Sequence, residues 1–308
     1  MKSRAPHVNR GFALFTGTAV ALLALTVSPG AEEQGNAKIS LAVQNECDRL
    51  AGSPSDNQRN DDYSAVDTAE IDPSAIDSCR LAFETTGNPR FAYQLGRALN
   101  KADEIDQAMS AYDAAVEADY PAAKVNFGML LGRLGDQDAE FRMYSEAASG
   151  GNVLASYNLG VAYRDGLGTQ SDVTKALHWF EKAASAGDDT AAFNIAVIYD
   201  EGQMLPEDDQ LAIAWYDLAV TRGNVDAMVN LGIMLETGEG IEADIEQAAE
   251  LYAQAAQEGD AFAANKVLEL HESGAISPPA MSQLDDGVTT LVLKEGDMET
   301  PATLAKDI

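Results

Sequence analysis

A fixed period runs through this chain, and a period of this length leaves few folds open. Two-residue marks at Leu95-Gly96, Phe127-Gly128, Leu159-Gly160, Ile195-Ala196, Leu231-Gly232 and Val267-Leu268 recur at intervals of 32, 32, 36, 36 and 36 residues. Large aromatic residues at Tyr112, Tyr144, Phe180, Tyr216 and Tyr252 keep the same spacing. Between units stand Gly151-Asn152, Gly187-Asp188, Gly223-Asn224 and Gly259-Asp260. In each pair the glycine can take the left-handed conformation that stops a helix, and the following Asn or Asp can cap the next one. The units therefore begin near Gly87, Asp119, Gly151, Gly187, Gly223 and Gly259.

Each unit reads as two helices. In the first, Ala191, Ile195 and Tyr199 fall at i, i+4 and i+8, as do Ala155, Leu159 and Tyr163. In the second, the stripes are Ala176, Phe180 and Ala184, then Ala212, Tyr216 and Val220, then Ala248, Tyr252 and Ala256. A helix cannot bury such a stripe alone, so pairs must stack on pairs. The expected fold is an all-α solenoid of antiparallel helix pairs, stabilised by neighbour interfaces. Gly96, Gly128, Gly160, Ala196 and Gly232 mark where paired helices approach closely, opposite the bulky Tyr or Phe. Asp165-Gly166-Leu167-Gly168, Glu201-Gly202 and Thr237-Gly238-Glu239-Gly240 end first helices; Asp172, Asp208 and Asp244 then cap second helices, with Gln247 completing a capping box. No calcium-loop pattern surrounds these acids, so no metal and no cofactor is expected.

Ala155 to Gly168 reads Ala-x-x-x-Leu-Gly-x-x-Tyr-x-x-Gly-x-Gly, and Asp172 to Ala184 reads Asp-x-x-Lys-Ala-x-x-Trp-Phe-x-Lys-Ala-Ala. This resembles the Sel1-like repeat, a relative of the tetratricopeptide repeat. The three units of residues 151–258 match closely, and the two shorter ones of residues 87–150 look like plain tetratricopeptide repeats. The last unit, residues 259–272, keeps its first helix as a cap. The resemblance implies a right-handed superhelix whose first helices line a concave surface that binds a protein or peptide. It also implies a bacterial exported adaptor, in envelope signalling or host contact. Some secreted cysteine-rich members are credited with β-lactam binding or hydrolysis, but their cysteine pair in every repeat is absent between Gly87 and Ile308.

On that surface the resemblance places Asn126, Asn158, Asn194 and Asn230, one amide per unit, able to grip the backbone of an extended peptide. The alternative is that each amide serves backbone within the solenoid. One residue earlier stand Tyr93, Val125, Tyr157, Phe193 and Val229; four residues after these stand Arg97, Met129, Val161, Val197 and Ile233. This second apolar stripe is either packed inward or presented as a groove. Arg90, Arg97 and Arg164 lie on the same side and suggest a carboxylate in the partner, or ordinary ion pairs with surrounding acids. The candidate contact set is therefore the four asparagines with Tyr157, Phe193, Val229, Arg97 and Arg164.

Composition narrows the partner. The chain of 308 residues carries 20 Lys+Arg against 50 Asp+Glu, a formal charge of -30, which repels nucleic-acid phosphates. Residues 87–270 hold 31 acids and 11 bases, a surplus that either steers a basic partner or keeps the surface soluble. Hydrophobic residues make up 46% and aromatics only 7%, which suits thin alanine-rich layers. Residues 1–30, with Lys2, Arg4 and Arg10 before an uncharged stretch from Gly11 to Val27, read as a signal peptide cleaved near Gly30 or Ala31. A retained anchor is the competing reading. Cleavage would leave an extracytoplasmic protein, periplasmic or secreted, with no membrane segment. In such a compartment the two cysteines, Cys47 and Cys79, are expected to pair, stabilising by roughly 3 kcal/mol through loop closure.

Residues 31–86 are expected to begin as a loose acidic stretch and end in disulfide-tied capping helices. Residues 273–308 read as a loose tail, with Val288 to Lys294 able to pair as a short strand. The function expected is a non-enzymatic exported scaffold. The alternative is a hydrolase acting on a β-lactam or cell-wall substrate, although no serine-hydrolase or zinc-protease motif surrounds the few histidines.

Overall fold

The computed structural model describes residues 29–56 and 58–276, and side chains from Ser40 onward. The leader, and the tail with its expected strand, lie outside the described residues. Among the described residues there are thirteen α-helices, one short 3-10 turn at Thr68–Glu70 and no strand. They are α1 (Pro29–Ala51), α2 (Ala75–Thr86), α3 (Pro89–Lys101), α4 (Ile105–Glu117), α5 (Pro121–Arg133), α6 (Gln137–Ser149), α7 (Val153–Asp165), α8 (Val173–Ser185), α9 (Asp189–Glu201), α10 (Asp209–Val220), α11 (Val225–Thr237), α12 (Ile245–Gln257) and α13 (Ala261–Glu272). From α3 onward each helix packs on the one before and the one after, which is the solenoid the period demands. We call the first helix of each unit its A helix (α3, α5, α7, α9, α11, α13) and the second its B helix.

The glycine contacts show why the marks recur. A Cβ at Gly96 would sit 2.6 Å from the Tyr112 ring, at Gly160 2.6 Å from Phe180, and at Gly232 2.7 Å from Tyr252. The A helix gives up helix propensity at that point so that one large ring can fill the space between the pair. The tyrosine hydroxyls are satisfied on carboxylates: Tyr144 on Glu140 (2.9 Å), Tyr216 on Asp200 (2.8 Å) and Tyr252 on Glu236 (2.8 Å). Burial, then the neighbouring carboxylate, pushes all three phenols well above their ordinary range.

The caps fall where the sequence places them. Asn152, Asp188, Asn224 and Asp260 accept from the backbone N–H of the third residue on, as do Asp172, Asp208 and Asp244. One expectation needs correcting. The N–H of Asp244 donates to Leu235 O at 2.9 Å, so it is not free for a Gln247 side chain to complete a capping box. The same closure, Asp172 to Tyr163 and Asp208 to Tyr199, locks every long A-to-B turn. These turns also account for the two periods. In the short units the link between A and B helices is residues 102–104 or 134–136; in the long ones it is 166–172, 202–208 or 238–244. The extra length lets a turn reach back to the preceding unit: a Cβ at Gly168 would lie 2.1 Å from Gln137 O, at the start of α6.

A second correction concerns the start. Residues 31–40 are not loose but belong to α1, because Ala, Glu, Gln and Lys are good helix formers.

Candidate protein-binding face

The amide row turns inward. Asn126 Nδ2 donates to the Tyr93 hydroxyl (3.2 Å) and Asn230 Nδ2 to the Tyr216 hydroxyl (3.0 Å). Asn194 Nδ2 donates to Thr190 O (2.8 Å), and its Oδ1 accepts from the Arg164 guanidinium. Asn158 Nδ2 is buried with no partner. The reason is readable in the repeat: one period before Tyr157 the tyrosine of the first unit gives way to Val125, and the Tyr144 hydroxyl is taken by Glu140. Asn126, Asn194 and Asn230 serve as internal struts, which favours use within the solenoid over a ladder for a peptide backbone. Sequence reasoning also missed its first rung. Gln94 lies one period before Asn126, fully buried, and its Nε2 donates to Asp48 Oδ1 (3.0 Å).

The apolar row survives, half-buried. Tyr157, Phe193 and Val229, with Val161, Val197 and Ile233, pack their edges on the core while part of each remains accessible. Tyr157 leans on Phe180 with ring centroids 5.8 Å apart, and Phe193 on Tyr216 at 5.9 Å. The same positions in the first unit are sealed: Tyr93 is 0% and Arg97 1% exposed.

What seals them is the chain itself. The Val66 N–H donates to Gly52 O (2.7 Å), closing a loop, and the Arg97 guanidinium clamps both of its ends. It donates to Ala51 O (2.6 Å), Val66 O (2.7 Å) and Thr68 Oγ1 (3.2 Å). Within the loop Asp56, 2% exposed, accepts from the Tyr120 hydroxyl at 2.7 Å. Beside it Asp48, also 2% exposed, is held by Arg90 (2.9 Å), Asn60 (3.1 Å) and Gln94. Cys47 and Cys79 form a buried disulfide that ties α1 to α2 beneath this loop.

The cations therefore do not await a partner carboxylate. Arg97 holds backbone carbonyls, and Arg90 pairs with Asp48 while lying over the Phe91 ring. Arg164 makes a two-point pair with Asp165, Nε at 2.7 Å and Nη2 at 2.9 Å, and spends Nη1 on Asn194. Around Arg164 a cavity of about 250 Å³ opens, lined by Asp165, Asn194, Val197, Ile198, Glu201, Gln203 and Met204. His178 is exposed, edge-on to Trp179, and no group of three or more metal-ligating side chains occurs among the described residues.

The Sel1 repeat family pattern matches residues 153–188, 190–224 and 225–260, about a third of the chain. Residues 153–260 are thus three Sel1 repeats. The family's repeats are scaffolds typical of protein–protein interaction. A protective antigen of uropathogenic Escherichia coli with an SLR fold aligns over 86% of this chain at 20% identity and a TM-score of 0.61. The chain spans 56% of that antigen's length. A Sel1 repeat protein from Oxalobacter formigenes aligns over 72% of this chain and 99% of its own, at 20% identity and a TM-score of 0.60. At such identity the two establish the fold alone. No curated protein matches the sequence.

Proposed function

We propose that this protein is a non-enzymatic exported scaffold that binds a protein segment along the concave face formed by α7, α9 and α11, as an adaptor in envelope signalling or assembly. The observation that carries this reading is the half-exposed row of Tyr157, Phe193 and Val229 over Val161, Val197 and Ile233, repeated once per unit. An apolar row rimmed by charge is the surface a partner covers. The chain already covers the equivalent row of its first unit with its own backbone, which favours polypeptide as the natural occupant of such a row. Export is favoured by a buried disulfide, which persists in oxidising compartments.

Two measurements test this. Sequencing the N-terminus of the protein isolated from its host should show loss of about the first 30 residues; an intact Met1 in the cytoplasm contradicts export. Affinity capture from the host envelope should retain the same partner with wild-type protein and lose it with Phe193→Asp and Val229→Asp combined. Undiminished capture by that folded variant contradicts the binding face.

A further inference from the structure

The cavity at the α7 and α9 termini lies beside a turn that departs from its neighbours. In the third and fifth units the turn after the A helix carries two glycines, both left-handed: Gly166 and Gly168, then Gly238 and Gly240. The second glycine presses on the preceding B helix, where a Cβ would meet Gln137 O in one case and Asp209 Cβ in the other, each at 2.1 Å. One period after Gly168, and one before Gly240, stands Met204. It does not take the left-handed conformation, and its Cβ forbids the same close approach. Met204 remains 36% exposed and, with Gln203, lines the cavity.

The lining selects a ligand. Val197, Ile198 and the Met204 thioether make an apolar wall, while Asp165, Glu201, Asn194 and Gln203 supply acceptors. Arg164 is the single base in the lining, and its two-point pair with Asp165 neutralises it. Glu201 is exposed and makes no hydrogen bond; it shares the field of Arg164 with Asp165, and the lining sums to one net negative charge. The adjoining turn adds more: Glu207 is held above the usual carboxylate range by the like charge of Asp209, then of Glu239 and Asp200. A carboxylate ligand would find a saturated guanidinium and a hostile field. A long cationic side chain finds an apolar wall for its methylene stem and acidic groups for its head.

We infer that this cavity is a socket for an arginine or lysine side chain, presented by a basic segment of the protein partner that lies across α7, α9 and α11. The inference rests on the binding face proposed above and adds the sign and position of the partner's charge. The cavity's volume of about 250 Å³ is roughly eight water-sized shares, ample for one such side chain and the water it keeps.

The test uses the full chain and two labelled ten-residue peptides, one alternating arginine and valine, the other with citrulline in place of arginine, followed by fluorescence anisotropy. The arginine peptide should bind and the citrulline peptide should bind at least about tenfold more weakly. Glu201→Gln should weaken the arginine peptide about fivefold, and Met204→Gly, which lets the turn close down, should weaken it as well. Glu246→Gln, an exposed site on α12 with the same change in net charge, should alter it less than about twofold. Equal losses from Glu201→Gln and Glu246→Gln would reduce the effect to the general acidic field and overturn the socket. Equal affinity of the two peptides, or no binding of either, also overturns it. If Phe193→Asp with Val229→Asp abolishes capture of the native partner while Glu201→Gln leaves it intact, the socket fails and the binding face stands. If neither variant affects capture, both fail.

Discussion

The first unit and the third to fifth units use one framework and treat the same row of positions in opposite ways. Tyr93 and Arg97 are covered, whereas Tyr157 and Val161, their counterparts two units on, stay half open. The aromatic residue is common to both; the residue four places later decides. A guanidinium there can hold main-chain carbonyls, and it holds those of Ala51 and Val66, drawing the loop onto the helix. An aliphatic residue there offers nothing to a passing backbone and leaves the row for side chains. Between them α5 marks the boundary, with Val125 buried and Met129 51% exposed. A cation in the row thus marks a place already occupied, which reverses its reading from sequence.

The comparison can be broken in several ways. The largest effect is expected from alkali, which loads both regions alike. Tyr112 and Tyr120 near the covered unit, Tyr144 beyond it, and Tyr216 and Tyr252 in the open ones are all raised, first by burial. A phenol whose folded pKa lies above its unfolded value of about 10 leaves the native state holding more protons, so stability falls as pH rises past 10. Each of these tyrosines contributes about 1.4 kcal/mol of loss per pH unit in that window. Circular dichroism and tyrosinate absorbance should change together in one transition above pH 10. Early loss of one half alone would show that the two regions are not one cooperative stack.

Arg97→Met comes next. It strands the carbonyls of Ala51 and Val66 in a buried site, at a cost of about 4 kcal/mol in urea titration. Proteolysis should then begin in residues 52–67 while the later units remain intact. Replacing the disulfide with Cys47→Ser and Cys79→Ser removes about 3 kcal/mol, from the loss of a loop constraint spanning a sequence separation of 32. Protection from hydrogen exchange should fall around α1 to α3 and not around α9 to α12. The smallest effect separates two rungs of the amide row. Asn194→Ala removes the bonds to Thr190 O and to Arg164 Nη1 and should cost about 1 kcal/mol. Asn158→Ala, whose Nδ2 makes no bond to lose, should cost distinctly less in the same thermal unfolding measurement.

The helix pairs, their caps and their close glycine contacts were legible because a period repeats each signal several times. Gly96, Gly160 and Gly232 each meet the ring that the second series of marks places opposite them. The pairing of Cys47 with Cys79 was legible by elimination, there being no other cysteine. The direction of the amide row was not. An asparagine beside a Leu-Gly mark looks the same whether it faces a groove or a tyrosine hydroxyl in the neighbouring unit, and only Gln94, in phase with the row, hinted at internal use. The covering loop was illegible for a different reason. Residues 52–67 have no period, and their seat depends on Arg97 meeting carbonyls more than 30 residues away. The socket lay between these extremes: Met204 in the place of a repeated glycine is visible in the sequence, but its consequence needed the conformation of the turn.

The central claim is that a partner reaches the later units and not the self-covered start. Photocrosslinking in the native host tests it most directly, with a benzophenone side chain introduced at Val197, at Ile233, or at Asp61 on the covering loop. The account predicts one crosslinked partner from Val197 and Ile233 and none from Asp61. A partner captured at Asp61, with none at the other two positions, would contradict it.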